Sequence, residues 1–185
     1  MARTKKSTLP IGLARDIANS WAKERPDLDP LDYLLPIYMV RLGRIAERDG
    51  DQTWKKAFNI SSPDMRVLLA LRRAGGDFSR RPTDLFRALL VTSGAITKIV
   101  DRLSADGLVK RRPDPSDKGG FLIYLTAKGK NVADDALTLM AHTTVLGASR
   151  ISLSTKERQL MVDLCERILL DIEKEGLRAD QDEAA

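Results

Sequence analysis

Residues 79–126 read SRRPTDLFRALLVTSGAITKIVDRLSADGLVKRRPDPSDKGGFLIYLT, and this stretch decides the fold. Pro82 fixes φ and is tolerated at the first position of a helix, so a helix is predicted to begin there. Leu85, Phe86, Leu89 and Leu90 then recur at helical spacing, until residues 91–94 interrupt the pattern. The stretch therefore opens with a short amphipathic helix and a tight turn.

A second helix is predicted directly after the turn. Thr92 or Ser93 can cap it by accepting a hydrogen bond from an early backbone N–H, and Gly107 supplies a left-handed residue after its end. Its apolar face consists of Ala95, Ile96, Ile99, Val100 and Leu103. Its other face carries Ser93, Thr97, Lys98, Asp101 and Arg102, all of which can reach base edges or phosphates.

Two strands complete the pattern. Residues 108–109 and 121–125 are rich in strand-forming side chains, and residues 110–120 have the proline, aspartate, serine and glycine of an exposed turn. Helix, turn, helix and hairpin in this order predict a mainly α protein with a winged helix-turn-helix core and a small β-hairpin wing.

Positive charge is concentrated around this core. Residues 72–112 contain ten Lys or Arg and four Asp or Glu, a local charge of +6, whereas the whole chain has +5. Double-stranded DNA is the expected partner, because neutralising phosphates supplies most sequence-independent affinity. We expect the major groove to be contacted by Thr92, Ser93, Thr97, Lys98 and Arg102. Phosphates are expected at Arg80, Arg81, Lys110, Arg111, Arg112 and Lys118. The alternative is a solvated helical face.

The remainder of the chain reads as helices. A stripe of leucines and other apolar residues marks a helix within residues 28–50, Ser62 is predicted to cap another, and a third should run from Ala127 to about residue 149. Ser154 and Glu157 form a capping box before the last helix. The first and last of these helices carry more apolar surface than one small unit requires, which favours a homodimer over packing within one chain.

Other classes of function find little support. The sequence has no phosphate-binding glycine loop and no nucleophile or metalloprotease motif, so no enzyme activity is expected. His142 and Cys165 are single residues of their type, so neither a metal site nor a cofactor is expected. No apolar run approaches a membrane span, and the lone cysteine suits a reducing cytoplasm. The rival function is a winged-helix interaction module that does not read DNA.

The chain resembles the MarR (multiple antibiotic resistance regulator) family in residues 82–103, 107–120 and 125–129, and the resemblance extends over roughly residues 28–175. It implies a homodimeric winged-helix repressor or activator that binds a palindromic operator and whose DNA affinity a small ligand changes, and of the two we expect a repressor. The implied domains are an extension with an extra helix (1–27), the MarR-type domain (28–175) and an acidic flexible tail (176–185). Within the domain, 62–126 is the DNA-binding lobe, and 28–50 with 127–175 form the dimer. One departure is Gly119, which stands where many members have the arginine of an Asp-x-Arg wing motif.

The N-terminal extension resembles a narrower group. An amphipathic helix within residues 9–26 carries Trp21 and is followed by RPDLD, as in the urate-responsive PecS/HucR branch of the family. That resemblance implies an effector pocket built from Trp21, Asp64 and Arg111. Ile99 stands where the branch has a second arginine, which weakens the case for an anionic purine, since a buried charge needs compensation. A purine, a phenolic or other small aromatic ligand, and no ligand at all remain open.

Overall fold

The computed structural model describes residues 13–145, 147 and 150–182, of which 176–182 are described by their backbone alone. The chain forms two compact units, one ending at Leu137 and the other beginning at Thr138. The helices are α1 Leu13–Glu24, α2 Pro30–Phe58, α3 Ser62–Arg73, α4 Pro82–Leu89, α5 Ser93–Ala105, α6 Ala127–Thr143 and α7 Thr155–Asp182. The strands are β1 Ser79–Arg80, β2 Val109–Pro113 and β3 Phe121–Leu125, in the antiparallel order β1-β3-β2. This is the predicted winged helix-turn-helix fold.

The core of the first unit lies between α3, α4, α5 and the central strand β3. Its fully buried side chains include Met65, Leu68, Leu71, Leu85, Ile96, Val100, Leu103 and Ile123. Burying one such side chain contributes about 1.5–3 kcal/mol, so several of them together anchor α5 by its apolar face. The opposite face of α5 is left at the surface.

The helix-turn-helix forms as the sequence predicts. Helix α4 begins at Pro82, and Thr92 caps α5 by accepting a hydrogen bond from the backbone N–H of Ala95 at 3.2 Å. Gly107 follows the end of α5 with a φ of +70°, in the left-handed region that favours glycine. The helical spacing predicts Leu90 on the buried face of α4, but Leu90 ends this helix with a φ of +52° and is exposed, because the left-handed turn carries its side chain away from that face.

The sheet differs from the prediction in two places. The sequence predicts a turn over residues 110–120, but strand β2 continues to Pro113, because Lys110 to Pro113 keep pairing with β3. Proline is tolerated there since β2 is an edge strand. The two-residue strand β1 was not predicted at all, because its pairing with Tyr124 and Ile123 is non-local.

Helices α2 and α3 also differ in their ends. Helix α2 does not end near residue 50 but continues to Phe58, because Trp54 is buried and pins its last turns. The cap of α3 is Ser61, whose hydroxyl accepts a hydrogen bond from Asp64 N, so the prediction of Ser62 was one residue late. The backbone N–H of Ser62 donates to Asp51 of α2 at 2.9 Å.

The second unit contains α7, and its capping box is confirmed: the carboxylate of Glu157 accepts from the backbone N–H of Ser154 at 2.7 Å. Helix α6 ends at Thr143 rather than near residue 149, and the hydroxyls of Thr143 and Thr144 donate back to carbonyls of its last turn. A flexible tail is predicted for residues 176–185, but residues 176–182 continue α7 as helix, and residues 183–185 lie outside the described residues. None of the described helices combines the length and the hydropathy needed to cross a bilayer.

Candidate nucleic-acid interface

The exposed face of α5 is polar at its N-terminal end. Ser93, Thr97 and Lys98 are exposed, and the hydroxyl of Thr97 donates to the carbonyl oxygen of Ser93 at 3.2 Å. Among the described residues, no partner occupies the ammonium group of Lys98. Since the N-terminal residues of a recognition helix meet base edges, this end of α5 is the best placed to read DNA.

Arg102, one of the predicted base contacts, forms a bidentate ion pair with Asp64 of α3. Its Nη2 and Nε donate to the two carboxylate oxygens at 2.5 and 3.1 Å. The arginine side chain is 54% exposed and that of Asp64 only 10%. Hydrogen bonding to Asp64 raises the pKa of the Arg102 guanidinium above its ordinary value. The pair therefore fixes the C-terminal half of α5 to α3.

A second ion pair joins α5 to the wing. Nη2 of Arg111, on β2, donates to Asp101 of α5 at 2.5 Å, and the guanidinium also lies 5.3 Å from the ring centre of Phe121. The neighbouring Arg112 lies 5.3 Å from the ring centre of Tyr124 and has no carboxylate partner among the described residues. The wing is thus oriented against the recognition helix by Arg111, while Arg112 keeps its charge uncompensated.

The base of the wing is held by Arg81, which precedes α4. Its Nε donates to the carboxylate of Asp114 at 2.7 Å, and its Nη2 donates to the hydroxyl of Ser116 at 2.7 Å. Asp114 also accepts from the backbone N–H and the hydroxyl of Ser116, at 2.9 and 2.7 Å. Its side chain is only 3% exposed. These bonds, the one from Arg81 foremost, lower the pKa of Asp114 to about 2.

The remaining predicted phosphate contacts are exposed cations without a carboxylate partner in the described part of the chain. They are Arg80, Lys110, Arg112 and Lys118. The guanidinium of Arg80 donates only to backbone carbonyls, of Ser79 at 2.9 Å and of Ala74 at 3.3 Å. These groups carry positive charge that no carboxylate of the described residues neutralises, as a phosphate-binding surface requires.

Comparison with known proteins agrees with this geometry. A MarR family model matches residues 58–118. The transcriptional regulator PecS of Dickeya dadantii is 31% identical over 114 residues, which are 62% of this chain and 68% of PecS. The chain belongs to the MarR family. The multiple antibiotic resistance protein MarR of Salmonella typhimurium is 36% identical over 76 residues, 41% of this chain and 51% of that protein.

The fold of the MarR family is also found among solved structures. A mutant MarR from Escherichia coli, complexed with operator DNA, superposes with a TM-score of 0.62 at 23% identity. The match covers 80% of this chain and 97% of that one. At this identity the likeness concerns the fold alone.

Gly119, which stands in place of the arginine of the MarR wing motif, has a backbone conformation that favours glycine. Gly119 has a φ of +100°, where a side chain is strained, and the N–H of Gly120 donates to the carbonyl of Asp117 at 3.0 Å. The tip of this wing is therefore a tight glycine turn. Lys118 is the exposed cation at that tip.

The predicted effector residues make three separate sets of contacts. The ring of Trp21, 48% exposed on α1, lies 6.2 Å from that of Tyr33 on α2, whereas Asp64 binds Arg102 and Arg111 binds Asp101. Within the described residues, no hydrogen bond, ion pair or ring contact connects Trp21 to Asp64 or Arg111. Ile99 is 4% exposed and belongs to the core.

Two side chains that organise the interface, Asp114 and Ser116, were not singled out from the sequence, and Asp101 was placed on the exposed face of α5 but not as a partner of Arg111. Asp101, Asp114 and Ser116 hold Arg111 and Arg81 in place. The signal for Asp114 and Ser116 is local, since a short polar side chain two residues before a backbone N–H is typical of a turn. Asp101 had no such signal, because its partner is ten residues away on another element.

Proposed function

We propose that this chain is a homodimeric, sequence-specific DNA-binding transcriptional regulator, acting as a repressor, whose affinity for its operator is changed by a small effector. The observation that carries the proposal is the polar, exposed N-terminal end of α5 with its uncompensated Lys98. Exposed cations of β1 and of the wing, at Arg80, Lys110, Arg112 and Lys118, add to this observation.

The side chains divide into three roles in this proposal. Ser93, Thr97 and Lys98 face base edges in the major groove, because they are exposed at the end of α5 that leads into the groove. The uncompensated cations bind phosphates, and they fix the position of the protein on the duplex without reading sequence. Arg81, Arg102 and Arg111 hold the wing and α5 in place through their carboxylate partners.

The proposal of a dimer rests on the apolar side chains that each of the two units exposes. Helix α2 carries an exposed stripe of Leu31, Leu35, Met39 and Leu42. Helix α7 exposes apolar side chains around most of its circumference, among them Leu160, Met161, Leu164, Ile168 and Ile172. A helix that is apolar on so many sides is normally buried, and a second copy is the occupant we propose. Two α5 helices would then meet half-sites about 34 Å apart.

Effector control is proposed at Asp64. A ligand that hydrogen-bonds this carboxylate competes with Arg102 for the same two oxygens, and so loosens the attachment of α5 to α3. Trp21 supplies an exposed aromatic surface for a flat ligand if α1 closes on the site. Such a ligand changes DNA affinity only by the difference between its affinities for the DNA-competent state and for the other state.

The test is fluorescence anisotropy on a duplex selected from a random pool and on an unselected duplex. A DNA reader loses affinity steeply between about 50 and 200 mM salt, and it prefers the selected duplex. Lys98→Gln should cost about 1–3 kcal/mol on the selected duplex if Lys98 contacts a base. Lys156→Gln, outside residues 62–126, is the matched control. A protein that binds neither duplex, or both without salt dependence, is instead an interaction module.

A further inference from the structure

Three non-glycine residues among those described have a positive φ, and two of them have an evident reason. Asn59, at +57°, is of a type that tolerates the left-handed region. Phe78, at +56°, has its ring below two cations, at 5.1 Å from the guanidinium of Arg72 and 5.4 Å from the ammonium of Lys130. Its side chain is therefore held by packing that offsets the backbone strain.

Leu90 is the third, and nothing within the described chain offsets its strain. It has a φ of +52° and a ψ of +46° as the C-cap of α4, where glycine is the residue without penalty. Its side chain is 93% exposed, so it contributes almost no apolar burial to the fold. Its backbone N–H bonds the carbonyl oxygens of Phe86 and Arg87, which any residue could do. The leucine side chain is thus unfavourable locally on two counts.

The position of Leu90 suggests what uses this side chain. It lies in the turn between α4 and α5, two residues before the cap Thr92, so its Cα is at most about 7 Å from that of Thr92. This is the end of α5 that we place in the major groove. Apolar side chains read one base there, because thymine alone presents a methyl group in the major groove.

We propose that Leu90 is a specificity residue that packs against a thymine methyl group at the edge of the sequence read by α5. Strain of this kind persists where a function depends on the residue that carries it. The inference rests on the proposed function, since it needs α5 to enter the groove.

The test uses Leu90→Gly, with Leu90→Met as the control that keeps an apolar side chain. Each is measured by anisotropy on the selected duplex and on the same duplex with uracil in place of thymine, which removes only the methyl groups. Leu90→Gly should bind the thymine duplex roughly tenfold more weakly, the effect of removing one or two methylene-sized contacts. It should bind the uracil duplex as the unaltered protein does, and Leu90→Met should keep most of the preference for thymine.

A loss of equal size on both duplexes would overturn the proposal. It would show that Leu90 contacts the sugar, or that glycine weakens binding by making the turn more flexible. Unchanged affinity on both would overturn it as well. So would a loss of dimer in sedimentation, which would assign the side chain to a second copy. The midpoint of urea unfolding of Leu90→Gly should be equal or higher, since glycine relieves the strained φ. If the unaltered protein selects no duplex at all, the proposed function has failed rather than this inference alone.

Discussion

Asp64 of α3 binds Arg102 of α5 through both carboxylate oxygens, at 2.5 and 3.1 Å. The sequence suggested separate tasks for the two residues, an effector contact for Asp64 and a base contact for Arg102. Their pairing makes one unit of them, and it ties the recognition helix to the helix behind it. A substitution or a ligand that alters one partner should therefore also change the position of the other.

We expect Arg102→Ala and Asp64→Ala each to weaken binding to the selected duplex and to lower the free energy of unfolding. The change in unfolding should be about 1 kcal/mol, because the arginine is largely exposed and such pairs contribute little. Anisotropy and urea unfolding measure the two effects. If Arg102 reads a base directly, Asp64→Ala should instead tighten binding by freeing the guanidinium, and our assignment of Arg102 to positioning would be wrong.

The carboxylate of Asp114 should give the wing a pH dependence at acidic pH. Its pKa is lowered to about 2 in the folded protein, so the stabilisation is present above the ordinary value near 4 and is lost as the pH falls towards 2. Asp114→Asn should flatten the dependence of unfolding free energy on pH in that window. Asp135→Asn, at an exposed aspartate of α6, is the control and should leave the slope as it is.

Lys118→Ala should weaken binding to all duplexes alike and reduce the slope of log K against log salt by about one. The reason is that Lys118 is an exposed cation at the wing tip, placed to bind a phosphate. Lys156→Ala should leave the slope unchanged. A change in the preference between selected and unselected duplex would show that Lys118 reads sequence rather than phosphate.

Gly129 is required for the close approach of α6 to the wing. A Cβ on this residue would clash with the carbonyl oxygen of Leu108, a backbone atom that cannot move aside alone. Gly129→Ala should therefore lower the free energy of unfolding by about 1–3 kcal/mol, as overpacking does. Gly94→Ala is the control, since a Cβ at Gly94 meets nothing within 4 Å. Equal urea midpoints for both variants would contradict the close approach.

Trp21→Ala should abolish the response of DNA binding to an effector while leaving DNA binding itself unchanged. The ring is 48% exposed beside Tyr33 and lies on α1, outside the lobe that carries the DNA contacts. Anisotropy with a panel of purines and phenolics identifies the effector on the unaltered protein first. A fully responsive variant would leave Trp21 with packing against Tyr33 as its role.

Local sequence signals predict α4, α5 and the turn between them. The start of α4 at Pro82, the cap at Thr92 and the left-handed Gly107 all depend on residues within a few positions of each other. The stripe of Ile96, Val100 and Leu103 likewise follows from helical spacing alone, and the structure buries all three. The exposed residues of α5 are the complement of that stripe, so the candidate base contacts could be named in advance.

Non-local partners were out of reach of the same reasoning. Asp101 and Asp114 meet arginines that are ten and thirty-three residues away, so no spacing rule connects them. The same limit applies to β1, which exists only because Tyr124 and Ile123 lie beside it. As a result, three arginines expected to contact DNA turned out to have carboxylate partners inside the protein.

By itself the sequence determined that the chain has two consecutive helices with one buried face each, a hairpin after them and positive charge around all three. Those properties follow from side-chain periodicity, caps and composition, which act over one or two helical turns. Only the tertiary structure decided which cations remain uncompensated, because the charge that an arginine can offer to DNA depends on the carboxylates that folding brings beside it. It also showed that Leu90 is held in a left-handed conformation with its side chain in solvent, since backbone strain is a property of the packed turn and not of the residue type.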